Sequence, residues 1–165
     1  METLKAIENT GFGIWVRESG SIWSYPTIIF LHSLGLSILV GLNTALDLRL
    51  LGVARQLPLR PMEKLYPFMW AGFWINAVSG VALTIGDAAT MLNNPIFYLK
   101  MAFIAVAVVT LARTRRVFGN PSVDDTAIPA TAKVLAALSL ICWTGAITAG
   151  RLTAYIGAGA GIKGG

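Results

Sequence analysis

The sequence predicts an all-α, polytopic membrane four-helix bundle with an N-terminal interfacial segment, and three observations lead there. Of 165 residues, 55% are hydrophobic and 13% charged, with a mean hydropathy of +0.67. Soluble domains carry about 25% charged residues, so lipid is the expected solvent for most of this chain. Apolar runs cover residues 27–46, 68–85, 96–111 and 134–150. Counted with their flanking turns, each reaches the roughly 17 to 25 residues that a helix needs to cross a bilayer. None alternates with period two, which excludes barrel strands and leaves helices that satisfy their own backbone hydrogen bonds.

Taken in order, residues 1–26 are too short and too polar to span. Leu4, Ile7, Trp15, Ile22, Trp23 and Tyr25 are nonetheless what an interfacial arm presents, so an amphipathic helix on the membrane surface is expected. The start of the chain lacks the basic and apolar regions of a cleavable signal, so the first span is expected to act as an uncleaved insertion signal. Pro26 suits the first turn of helix one. Pro58, Pro61 and Pro67 make residues 50–67 a surface loop with an interfacial turn. The four-helix domain is expected over 27–156, and the glycine-rich tail 157–165 is expected to be flexible or ordered only against a partner.

The basic residues set an orientation. Arg49, Arg55, Arg60 and Lys64 lie between helices one and two, and Arg113, Arg115, Arg116 and Lys133 between three and four. Lys5, Arg17, Arg151 and Lys163 lie on the other side. The positive-inside rule makes the first set cytoplasmic and puts both termini outside, on the periplasmic face of a bacterial inner membrane. The net charge of +5 is then a topology signal, and nucleic acid is not an expected partner. The expected partners are the lipid bilayer and either further copies of the chain or a larger membrane complex. Cys142 is the only cysteine, which rules out an intrachain disulfide and any cysteine-based zinc or iron–sulfur site built from one chain. Walker, HExxH, CxxC and GxSxG motifs are absent, so a conventional enzyme ranks last.

Two patterns mark helix one. Ser33, Ser37, Gly41 and Ala45 recur every four residues, as Gly72, Asn76, Gly80 and Thr84 do on helix two. Small residues at this spacing let helices approach closely in lipid, within one chain or between chains. On another face, Asn43 and Asp47 lie roughly 20° and 60° around the axis from His32. This polar stripe, continued across the bundle by Asn76, should face other helices or a cavity, because exposing it to lipid is costly.

His32 is the only histidine. Helix lengths put it level with Lys100 on helix three and with Asp87 and Arg151 at the ends of helices two and four. Intramembrane ionisable residues are functional candidates by default. One expectation is haem b, with His32 on the haem iron, Lys100 or Arg151 on the propionates, and Met101 or a residue of another subunit as second ligand. The alternatives are a quinone, lipid or anion pocket at the same level, and an imidazole merely hydrogen-bonded between helices, with Lys100 snorkelling to headgroups and Arg151 paired with Asp87 or contacting headgroups. Trp70, Phe73 and Trp74 are interface anchors or bundle core before they are a cofactor wall, and Trp143 is expected to fill the core.

The stretches Trp15-Val16-Arg17-Glu18-Ser19, Leu31-His32-Ser33-Leu34-Gly35-Leu36, Asp47-Leu48-Arg49-Leu50-Leu51-Gly52, Trp70-Ala71-Gly72-Phe73-Trp74-Ile75-Asn76 and Asn94-Pro95-Ile96-Phe97-Tyr98-Leu99-Lys100 carry a resemblance. They resemble an uncharacterised family of small bacterial four-helix inner-membrane proteins, over about residues 12 to 118. The resemblance implies the fold and no activity. More distantly, a small bundle with a histidine in its first helix resembles four-helix membrane cytochromes b, whose further histidines this chain lacks. Three functions are therefore expected in order: a redox subunit with a haem or quinone site at His32, a structural or accessory subunit of a membrane complex, and an oligomeric transporter or channel.

Overall fold

The structure, a computed structural model, describes residues 2–118 and 128–156. The glycine-rich tail and Lys163 lie outside the described residues. Every regular element among the described residues is helical: α1 (Glu2–Glu8), α2 (Gly11–Glu18), α3 (Tyr25–Leu50), α4 (Tyr66–Gly86), α5 (Ala88–Leu92), α6 (Pro95–Phe118) and α7 (Ala130–Ile156), with a 3-10 helix at Arg60–Leu65. Among the described residues, four helices are long and apolar enough to cross a membrane. They extend past the apolar runs at both ends, because helical hydrogen bonding continues into the polar flanks after hydropathy has fallen.

The starts are written locally. Prolines occupy the first turns of α3 and α4, where a missing N–H costs nothing. Asn94 caps α6 by accepting the Ile96 N–H at 2.9 Å. After α3 the chain turns through Gly52 at φ +96°, a left-handed conformation that glycine adopts without strain.

α3 packs along α4, α6 packs along α7, and the two hairpins meet where α3 contacts α7. The closest approach is between glycines. A Cβ on Gly35 would lie 2.7 Å from both the Asn76 nitrogen and the Gly72 oxygen, and one on Gly72 would lie 2.9 Å from the Gly35 oxygen. Backbone thus touches backbone, which substitutes dispersion contact for the hydrophobic drive that lipid does not supply. The expected helix-two ladder therefore supplies this seam, but its helix-one counterpart does not. Ser33, Ser37, Gly41 and Ala45 face outward, and a Cβ on Gly41 would meet nothing within 4 Å. The hydroxyls of Ser33 and Ser37 bond the carbonyls one turn back, so neither needs a partner from another helix.

The exterior is apolar where a soluble bundle would be charged. Phe30, Phe68, Val78 and Ile141 are each more than 60% exposed. The polar stripe turns inward, with Asn43 and Asp47 each 1% exposed.

The arm forms two short helices in place of one. Thr10 caps α2 through its hydroxyl, accepting the Gly13 N–H at 3.2 Å. Val16 is buried against Gly86 at the end of α4, while Phe12, Trp15, Ile22 and Trp23 stay exposed. Glu8 holds the arm to the α4–α5 turn by accepting the Ala89 N–H at 2.7 Å. Glu8→Ala is expected to remove about 1 kcal/mol from that attachment. Amide exchange at Ala89 should then quicken roughly fivefold while the α3 and α4 amides keep their protection.

Candidate functional site

A cavity of about 370 Å3 opens at the arm end of the bundle, between the two hairpins. α3 brings Tyr25, Ile29, His32 and Leu36 to it, α4 brings Asn76, Gly80 and Thr84, α6 brings Lys100 and Ile104, and α7 brings Trp143, Gly150 and Arg151. Asp87 and Met91 close it from the turn between α4 and α6. His32, Lys100, Asp87 and Arg151, which helix lengths put at one level, thus line one cavity. Asn43 and Asp47 lie in the other half of the bundle and do not reach it.

His32 is half-buried and oriented from α4. Its Nδ1 lies 3.0 Å from the Asn76 carbonyl oxygen and 3.2 Å from the Ser79 hydroxyl. The nearest of these groups is a carbonyl, which only accepts, so Nδ1 carries the proton and donates to it. The Asn76 Nδ2, 3.3 Å from the same nitrogen, is left to the His32 carbonyl. Nε2 is left with a lone pair and no hydrogen bond among the described residues. Asn76 locks the arrangement by donating Nδ2–H to the His32 carbonyl at 2.8 Å. Gly80 makes room for the ring, since a Cβ there would come 3.1 Å from Cε1.

Lys100 lies across the backbone of α7, its Cδ and Cε each 3.7 Å from where a Gly150 Cβ would stand. Its ammonium makes no hydrogen bond or ion pair with any described residue. Arg151 does not pair with Asp87, the ion pairs among the described residues being those of Arg17 with Glu8 and Glu18. Trp143 is 2% exposed and its indole Nε1–H has no acceptor among the described residues. His32 Nε2 and the Lys100 ammonium therefore face, without hydrogen-bond partners among the described residues, a cavity whose other walls are largely apolar. Such a site matches a ligand with oxygens at its head and hydrocarbon behind.

Other sequence candidates lie elsewhere. Trp70, Phe73 and Trp74 form an edge-to-face run with ring centroids 5.5 and 5.3 Å apart, and none lines the cavity. Met101 is 45% exposed and also lies off the cavity, whereas Met91 lines it. Sequence reasoning passed over Met91, Ser79 and the indole N–H of Trp143.

Haem can be weighed against these residues. An imidazole whose Nδ1–H is held by a carbonyl while Nε2 stays free is the usual arrangement of a metal-ligating histidine. The two cations suit propionates. The volume fits less well, being near the lower end of the ~300–1,000 Å3 typical of ligand pockets. That suits a single-ring headgroup and is tight for a four-pyrrole macrocycle. Among the described residues no cluster of three histidine, cysteine or acidic side chains is placed to hold a bare metal ion.

In comparisons with protein-family models, curated proteins and solved structures, nothing matches this chain.

Proposed function

We propose that the chain is a quinone-binding subunit of a membrane redox system, with the headgroup held in the arm-end cavity. The observation that carries this reading is the convergence of His32 Nε2 and the Lys100 ammonium, neither with a hydrogen-bond partner among the described residues, on a small, largely apolar cavity. Lys100 donates to a quinone carbonyl, and Trp143 supplies apolar wall. In the reduced ligand a hydroxyl donates to His32 Nε2, which is left as the accepting nitrogen because the Asn76 carbonyl holds the proton on Nδ1. Ile29 and Ile147, 36% and 40% exposed, form an apolar rim through which a prenyl tail reaches lipid. The clustering of arginine and lysine at the opposite end supports a bacterial inner-membrane orientation with the cavity toward the outside. The outward ladder of Ser33, Ser37, Gly41 and Ala45 supports close packing of a further subunit, which would supply the electron partner.

The test is purification in native-lipid discs followed by solvent extraction and chromatography. The expected result is about one quinone per chain, enriched over the surrounding lipid, falling to the bulk ratio in Lys100→Leu. An unenriched wild type would sink the proposal. A second reading, haem on His32 Nε2, is favoured by the Asn76 carbonyl bond. A Soret band that shifts with dithionite in the same sample would replace the quinone with haem.

A further inference from the structure

Asp47 lies three residues before the end of α3, in the half of the bundle away from the cavity, and is 1% exposed. Asn43 Nδ2–H donates to its Oδ2 at 2.5 Å and to Ser139 Oγ on α7 at 2.7 Å. The Ser139 hydroxyl in turn hydrogen-bonds the carboxyl. The ring ties α3 to α7 through a carboxyl that has no ion pair among the described residues.

Charged and titratable neighbours come from three elements. On α3 itself, Arg49 directs its Nε–H to the Leu57 carbonyl at 2.5 Å. On α4, Tyr66 is 1% exposed, lies within electrostatic range of Asp47, and has a hydroxyl without a hydrogen-bond partner among the described residues. On α6, Arg115 sits over the Tyr66 ring, 5.9 Å from its centroid. An ionised carboxylate buried this way would cost several kcal/mol even with two neutral donors, so such groups neutralise instead.

A metal cation does not fit. It needs space and a shell of oxygens, but Asn43 turns its amide N–H toward the carboxyl. Neither the arm-end cavity nor the groove lined by Glu63, Trp70 and Arg115 reaches Asp47. A proton needs neither. We propose that Asp47 is a proton-binding site: at neutral pH it is a neutral acid, held by Asn43 and Ser139. The bound proton sits about 22 Å along α3 from His32, at 1.5 Å rise per residue. This inference stands whether or not the cavity binds a quinone.

Infrared spectroscopy of the full chain in lipid discs at neutral pH tests it. The wild type is expected to show a protonated-carboxyl C=O stretch that shifts in deuterated water and is missing in Asp47→Asn. That variant is isosteric with the neutral acid and should unfold at the wild-type midpoint. The absence of an Asp47-dependent band would overturn the proposal. Labelling of the wild type by the apolar dicyclohexylcarbodiimide, which attacks protonated carboxyls, needs no variant. An adduct at Asp47 that declines as pH is raised is expected, and protection by sodium at constant pH would overturn the proposal in favour of a cation site.

Discussion

Gly35→Ala is expected to be the most damaging single-methyl change along the seam between α3 and α4. The added carbon would stand 2.7 Å from two α4 backbone atoms and 3.1 Å from the Ile75 Cβ. Backbone cannot move aside as a flexible side chain does, so α3 and α4 must separate along the seam. Overpacking a core costs about 1–3 kcal/mol when side chains can yield, and this contact lies at or above the upper end of that range. Gly72→Ala should behave alike, its carbon being 2.9 Å from the Leu39 nitrogen. Gly41→Ala is the control on the same helix, with nothing within 4 Å. It should be neutral or stabilising, by up to about 1 kcal/mol, from helix propensity. Unfolding in mixed micelles of rising denaturing-detergent fraction measures all three. Equal midpoints for Gly35→Ala and Gly41→Ala would refute the glycine crossing.

Removing the polar groups of the cavity should have the largest effect on ligand binding. Lys100→Leu deletes a charged donor of similar length, and His32→Ala deletes the acceptor. Hydrogen bonds to charged groups contribute about 1.5–3 kcal/mol, so Lys100→Leu should weaken a quinone headgroup roughly 10- to 100-fold. His32→Ala should weaken it less, about fivefold for a neutral bond, and should act on the reduced form more than the oxidised. Gly80→Ala presses on the imidazole without removing it, and should reproduce part of the His32→Ala effect. Competition photolabelling with an azido-quinone in lipid discs gives the affinities. Equal loss of both redox forms in His32→Ala would contradict the tautomer set by Asn76.

Much of this was legible in sequence because lipid leaves few choices. Long apolar runs have to be helices, and their up-and-down order brings His32, Lys100, Asp87 and Arg151 to one end. Packing faces were harder to read. The ladder of Ser33, Ser37, Gly41 and Ala45 has the spacing of a seam, yet its hydroxyls are satisfied on their own helix. Gly35, flanked by Leu34 and Leu36, has no small residue four positions away to announce it. Its contact is with the Gly72 backbone, which a one-helix periodicity cannot display. Ser139 was equally hidden, since its partnership with Asn43 spans 96 positions. Orientation was hidden too. The free Nε2 of His32 depends on a carbonyl of α4, and the unpartnered N–H of Trp143 depends on what does not surround it.

The most direct measurement is the site at which the azido-quinone attaches to the wild type, read by peptide mass spectrometry. Adducts are expected on the peptides bearing His32, Lys100 and Trp143, and should disappear when unlabelled quinone is added in excess. Adducts spread over lipid-facing positions such as Phe68 and Val78, undiminished by competitor, would contradict a quinone site in the cavity.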